Sequence, residues 1–194
     1  MKRTTIALAA GATVTGLALG VRALMQRQAI ATLPTPTPNL ALSVPGFPVL
    51  ERITGGVDPA QPMPLVLVLH GIGGDAAQLD PYTRIKVPAR LVHVRGSVGT
   101  PGGGYSYFAA RFRSANFIAE AAAAAAEIVR VADTVASQRA VTRTLVLGYS
   151  QGGHIAWLLA GTGRFDIVIP VSGALVNTYQ PPPSTGRTTI HALH

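Results

Sequence analysis

The chain reads as an α/β domain: a mostly parallel sheet with helices on both faces. Three observations lead there. Short apolar runs, Leu65 to Leu69, Arg143 to Leu147 and Phe165 to Pro170, show little polar alternation, as expected of strands buried on both sides. Helical stretches, Asn116 to Gln138 and Gly153 to Ala160, stand between them, so that strand and helix alternate along the chain. Glycine-rich turns follow two of the strands directly, at Gly71 to Gly74 and at Gly148 to Gly153.

A length of 194 residues suits one domain, and an apolar fraction of 48% is ample for its core. There is no cysteine, which excludes disulfides, metal-thiolate sites and a cysteine nucleophile. The formal charge is +8, but Lys2, Arg3, Arg22 and Arg27 lie near the N-terminus, and from residue 32 onward 12 basic side chains stand against 8 acidic ones. No basic cluster is interleaved with aromatics, so nucleic acid is not an expected partner.

Residues 1 to 31 have the layout of an export signal. Lys2 and Arg3 precede an uncharged run from Thr4 to Val21, and Ala29, Ile30 and Ala31 form an A-x-A cleavage site. Cleavage there implies a periplasmic or extracellular protein. An uncleaved N-terminal membrane anchor is the alternative, because the 18 residues of the run, at about 1.5 Å each, nearly cross a bilayer core of about 30 Å.

Pro34, Pro36 and Pro38 make residues 32 to 45 a stiff spacer leading into the domain, which occupies 46 to 194. Leu40 to Val44 and Phe47 to Ile53 are expected as the first short strands. Leu65 to Leu69 follows and runs straight into His70, Gly71, Ile72, Gly73, Gly74 and Asp75. Arg90 to Arg95 is the next strand, with His93 a core or edge residue. Gly96 to Gly104 is a Gly/Pro loop without the lysine and Ser/Thr placement of a phosphate-binding loop, and is expected to wall a cleft.

The long helix from Asn116 to Gln138 can be capped by Asn116 or Ser114. It contains six consecutive alanines and repeats Ile118, Ala121, Ala125, Ile128, Ala132 and Val135 at helical spacing. Arg143 to Leu147 then delivers a strand into the turn at Gly148, and the helix after it is ended by Gly161 and Gly163. Phe165 to Pro170 is a further strand, Pro181 to Pro183 marks a surface loop, and Thr188 to His194 is the final strand.

Ser150 stands between Gly148 and Gly152 at the junction of strand and helix. A serine held on so sharp a turn forces its neighbours into close backbone approach, and glycine on either side removes the Cβ atoms that would clash. Such a serine projects above the sheet and can attack a carbonyl. Charge then moves onto the carbonyl oxygen, and amide donors already aimed there lower the barrier. Backbone N–H groups in the glycine-rich turn after Leu69 and next to Ser150 suit that task.

These segments, His70 to Asp75, Gly148 to Gly153 and Pro170 to Leu175, occur in the order in which they stand in α/β-hydrolases. Over about residues 50 to 194 the chain resembles the carboxylesterase, phospholipase and acyl-protein thioesterase branch of that superfamily. The resemblance implies hydrolysis of a small-molecule carboxylic ester or thioester without a cofactor or metal. It implies Ser150 as nucleophile, the amides of Ile72 and Gln151 as oxyanion hole, and His70, Gly71, Gly73, Gly74, Gly148 and Gly152 as the supporting motif. It also places Tyr105, Tyr107 and Phe108, after Gly104, beside the acyl pocket as a cleft wall.

The family's order continues with an acid and then a histidine, and here neither is found. Asp166 is the sole carboxylate after Ser150 and stands at the beginning of a strand, whereas active-site groups cluster at the carboxyl ends. His154 lies one turn into the helix as a packing residue, and His191 lies within the final strand. His194 resembles the histidine of the family's His-Gly-x-x-Asp. The expectation is therefore a hydrolase domain lacking its last strand and helix, a fragment or short product, with weak or undetectable activity. A non-catalytic hydrolase-like binding module is the other reading.

Overall fold

The computed structural model describes residues 42–76, 85–174 and 188–193. The uncharged run at 4 to 21, the A-x-A site, the prolines at 34 to 38, the loop at 181 to 183 and His194 lie outside the described residues. The chain divides into two units, Met1–Leu33 and Pro34–His194, and everything described belongs to the second.

Among the described residues ten elements follow in order: β1 (Val49–Thr54), β2 (Met63–Leu69), β3 (Ala89–Val94), β4 (Val98–Gly99), β5 (Tyr105–Ser106), α1 (Phe117–Gln138), β6 (Val141–Tyr149), α2 (Gln151–Ala160), β7 (Ile167–Val171) and β8 (Thr189–Ile190). Six strands form one sheet in the order β1-β3-β2-β6-β7-β8, and β4 pairs with β5 as a separate small hairpin. Within the large sheet β1 is antiparallel to β3 and every other pairing is parallel. This is a mostly parallel sheet flanked by helices, as the alternation of apolar runs requires.

The strands are apolar on both sides because both sides are packed. Leu65, Leu67 and Leu69 of β2 join Val92 and Val94, Val146 and Val168 on one face. Against them lie Phe117, Ala121, Ala125, Ile128, Ala132 and Val135 of α1 and Ile155, Leu158 and Leu159 of α2. Burial of a leucine or isoleucine of this size contributes about 1.5–3 kcal/mol. The alanines bring α1 close to the sheet, as small residues permit. Val66, Val68, Ala89 and Leu91 form the second cluster on the opposite face, joined by Ile85, Leu145 and Leu147.

Three sequence expectations change. Residues 42 to 44 form no strand, because Pro45 and Gly46 turn the chain there and Phe47 N donates to Val44 O. The first strand begins at Val49 instead. No side chain caps α1: Asn116 is itself near-helical (φ −89°, ψ −6°) and makes no capping hydrogen bond. The amide of Phe117 is satisfied by Ser114 O. The Gly/Pro loop is also more regular than expected, since β4 lies within it and folds back on β5.

Topology places the site. From β2 the chain crosses to β3 on one side, while β6 lies on the other side of β2 and leads away to β7 and β8. The carboxyl ends of β2 and β6 therefore border the sheet's switch point, where α/β sheets open a crevice.

Candidate functional site

Leu69, the last residue of β2, is in register with Gly148 near the end of β6. The glycine-rich turn and the serine turn thus leave the sheet side by side. Ser150 has φ 52° and ψ −110°, a left-handed conformation that costs a non-glycine residue of order 1–3 kcal/mol and persists only where its surroundings over-determine it. They do so here. Ser150 N donates to Val171 O at 2.9 Å, His154 N to Ser150 O at 3.0 Å, and Gly152 N to His70 O at 3.2 Å.

The glycines permit this approach. A Cβ on Gly152 would lie 2.5 Å from Leu69 O and 2.8 Å from His70 O. A Cβ on Gly71 would lie 3.2 Å from the Cβ of Ser150, which measures how closely the two turns meet. Ile72, the next residue, is 66% exposed at the tip of its turn. Its neighbours Gly73 N and Gly74 N donate to Tyr105 O and Gly71 O, whereas among the described residues neither Ile72 N nor Gln151 N has a backbone acceptor.

Behind this turn stands His70, which is 1% exposed. Its Nε2 accepts from Gly96 N at 2.9 Å, so the ring proton is on Nδ1 and points to Gly71 O at 2.6 Å. The ring stacks on Tyr107 with centroids 4.7 Å apart. Tyr107 Oη accepts from His70 N at 3.0 Å and donates to Val94 O at 2.7 Å. Burial pushes the Tyr107 phenol well up, against the opposing pull of its hydrogen bond with His70. Burial likewise lowers the His70 pKa, and the Gly71 carbonyl and Asp75 offset it only in part.

The imidazole is thus held neutral, and the sign of its pH effect follows. Below the ordinary value of 6.5 the unfolded chain takes up a proton that the folded chain refuses, so stability is complete above that pH and is lost as pH falls through the lower folded value. Protonation would also put a second N–H against Gly96 N. Urea midpoints should therefore decline on acidification from pH 6.5, with a smaller slope in His70→Gln; identical slopes would show that His70 is not the titrating group.

The remaining expected residues fall into place differently. Tyr107 and Phe108 are buried beneath the loop, Phe108 edge-on to Phe117, while Tyr105 carries the Arg95 guanidinium over its ring at 4.1 Å. Asp166 accepts from Thr144 N at 2.7 Å and ties the amino end of β7 to β6, at the edge away from Ser150. His154 packs as expected, stacked on Phe112 and with Nδ1 against the Ala174 peptide. His93 sits in mid-strand between Leu50 and Val68, and the His191 amide extends the ladder to Val168.

Sequence reasoning missed two roles. The Gln151 side chain is buried and bonded to the Ser106–Phe108 segment. Glu120 accepts from Ala109 N and Ala110 N, anchoring the same loop to α1. No local pattern marks either, since each partner lies 10 or more residues away.

No protein-family model and no curated protein matches the chain. Solved structures do. The Bacillus cereus carboxylesterase superimposes with a TM-score of 0.60 at 17% identity, covering 76% of this chain and 84% of that one. A carboxylesterase from Mesorhizobium loti gives 0.52 at 25% identity over 74% and 68%. Esterase PE8 gives 0.52 at 23%, and this chain covers 66% of its length. The protein is therefore one of the α/β-hydrolase fold, structurally related at low identity to these esterases.

Proposed function

We propose that this chain is a serine hydrolase framework for carboxylic esters, with Ser150 as nucleophile and the amides of Ile72 and Gln151 as the oxyanion hole. The left-handed backbone of Ser150 at the carboxyl end of β6, against Gly71, carries the reading. Strain of that kind clusters at active sites, and it is the geometry of a serine on a sharp strand-to-helix turn. The amides of Ile72 and Gln151, which have no backbone acceptor among the described residues, offer donors on adjoining turns to the charge that develops when a carbonyl is attacked. The carboxylesterases that share the fold supply the substrate class.

Serine needs a base to take its proton. His70, His93, His154 and His191 are each engaged or placed elsewhere, so among the described residues none is set to serve. The 194-residue chain should hydrolyse p-nitrophenyl acetate only at a residual level, about 10³ to 10⁴ over water, as triad-depleted serine hydrolases do. The part of that rate that passes through the Ser150 hydroxyl should be lost in Ser150→Ala, while the part supplied by the oxyanion hole and binding remains. Equal rates in the two proteins would remove Ser150 from the chemistry, and a fast rate lost in Ser150→Ala would reveal a base outside the four named. The engagement of these histidines also favours the second reading, a binding module that keeps the cleft without turnover.

Residues 1 to 31 are proposed as an export signal, with an N-terminal anchor as the alternative. Intact mass of the exported or membrane-bound protein separates them, because a mass that includes Met1 to Ala31 rules out cleavage.

A further inference from the structure

The two amides of the proposed oxyanion hole belong to different turns, so their spacing must be set by whatever joins those turns. Four side chains, those of Gln151, Ser106, Tyr107 and His70, close that connection. Gln151 follows Ser150, and its side chain turns away from solvent, 2% exposed. Its Oε1 accepts from Tyr107 N and from the Ser106 hydroxyl, both at 2.9 Å, and its Nε2 donates to Phe108 O at 2.9 Å. The Ser106 hydroxyl carries a single proton, which is shared between Gln151 Oε1 and Phe108 O, the latter at 2.7 Å.

From Tyr107 the path continues to the other turn. The phenol receives His70 N, the ring stacks on the His70 imidazole, and Nδ1 of that imidazole holds Gly71 O, one residue before Ile72. The return is direct, from Gly152 N to His70 O. The result is a closed buried polar circuit with one donor amide, Gln151 N, at one end and the other, Ile72 N, at the opposite end. Both polar atoms of the Gln151 amide group are hydrogen-bonded, which holds the buried group in one orientation.

We propose that Gln151, through its side chain, and Tyr107 are positioning residues that fix the separation of the two oxyanion amides. This rests on the reading of Ser150 given above. The backbone N–H at position 151 survives any substitution there, so an effect of changing the side chain reports displacement of the donor and not its removal. Misplacement by about 1 Å costs up to roughly 100-fold in rate. Donors matter most for charge present in the transition state, so the loss belongs in kcat, with KM nearly unchanged.

The test is Ser150-dependent hydrolysis of p-nitrophenyl acetate, obtained by subtracting the Ser150→Ala rate, in Gln151→Met and in Tyr107→Phe. Methionine keeps the volume without the hydrogen bonds, and phenylalanine keeps the stack on His70 without the hydroxyl. Each should lower kcat by about 10- to 100-fold with KM within about twofold. Gln151→Glu supplies the rescue: protonated, its carboxyl reproduces the amide's acceptor and donor, and burial favours that form. It should retain most of kcat near neutrality and lose it on an alkaline limb that wild type lacks.

The outcomes separate. Wild-type kcat in the folded Met and Phe variants overturns the positioning role while leaving Ser150 as nucleophile. A loss that only follows the unfolded fraction at the assay temperature, or a Glu variant as poor as Met at every pH, overturns it equally. No difference between wild type and Ser150→Ala brings down the serine hydrolase reading, and this inference with it.

Discussion

Gly148→Ala should lower the melting temperature by roughly 6–12 °C or prevent folding altogether. A Cβ at position 148 would land on the Gly152 carbonyl and lie 2.9 Å from Gly153 N. These are backbone atoms of the first turn of α2, so no side chain can swing away to make room. The turn must move as a body, which draws Gly152 N from His70 O and loosens the contact of Gly153 with Gly173. Overpacking typically costs about 1–3 kcal/mol, a clash with fixed backbone belongs at the upper end of that range, and about 1 kcal/mol shifts the melting point of a chain this long by roughly 2–4 °C.

Ser150→Gly should move it the other way. Glycine adopts φ near +52° without the penalty that serine bears, so relief of the turn should stabilise by about 1 kcal/mol while removing the nucleophile. Calorimetry or circular dichroism of both variants reads the pair of signs. A Gly148→Ala protein melting like wild type would mean that the turn is not packed as described, and a destabilised Ser150→Gly would mean that Ser150 bears no strain.

Glu51→Ala should cost about 3–5 kcal/mol, the range seen when one partner of a buried ion pair is removed. Glu51 is fully buried on β1. It accepts from Arg90 of β3, also buried, and from Arg139 after α1 through both carboxylate oxygens at 3.1 Å. Arg90 also donates to Pro59 O at 2.6 Å. Removal of the carboxylate leaves one buried guanidinium without a counter-charge and frees another. Against a total of about 5–15 kcal/mol the fall in urea midpoint should be plain.

A cavity of about 630 Å³, lined by Asp58, Arg90 and Arg139 among others, lies beside this cluster at the amino ends of the strands. It is remote from Ser150, by the length of the nine-residue β6, or roughly 30 Å. The cluster therefore acts on stability, and Glu51→Ala should leave any Ser150-dependent rate of the folded fraction unchanged. The double variant Glu51→Met with Arg90→Met should recover stability relative to Glu51→Ala, because apolar residues can replace a buried ion pair at little cost. A double variant worse than the single one would show that the polar cluster is needed for more than charge balance.

Much of the candidate site was legible in the sequence because its signals are local. Glycine at positions 148 and 152 around a serine, after an apolar run and before a helix, specifies a sharp turn, and the backbone at Ser150 has the left-handed geometry such a turn requires. The run into Gly71, Gly73 and Gly74 was legible for the same reason. Helix α1 was found within one residue, since its alanine and isoleucine spacing repeats over six turns. Its cap was not, because Ser114 and Asn116 are chemically able to cap yet the chain before Phe117 already turns on its own carbonyls.

What the sequence by itself determined is the order of strand, turn and helix and the placement of Ser150 and Ile72 on tight glycine turns, because those depend on residues within a few positions of one another. Only the tertiary structure decided that the two turns are neighbours, that Tyr107 supports His70 from 37 residues away, and that Gln151 grips Ser106 across 45. Those contacts follow from the parallel register of β2 with β6. Pairing across a sheet joins segments whose distance along the chain leaves no mark in either of them.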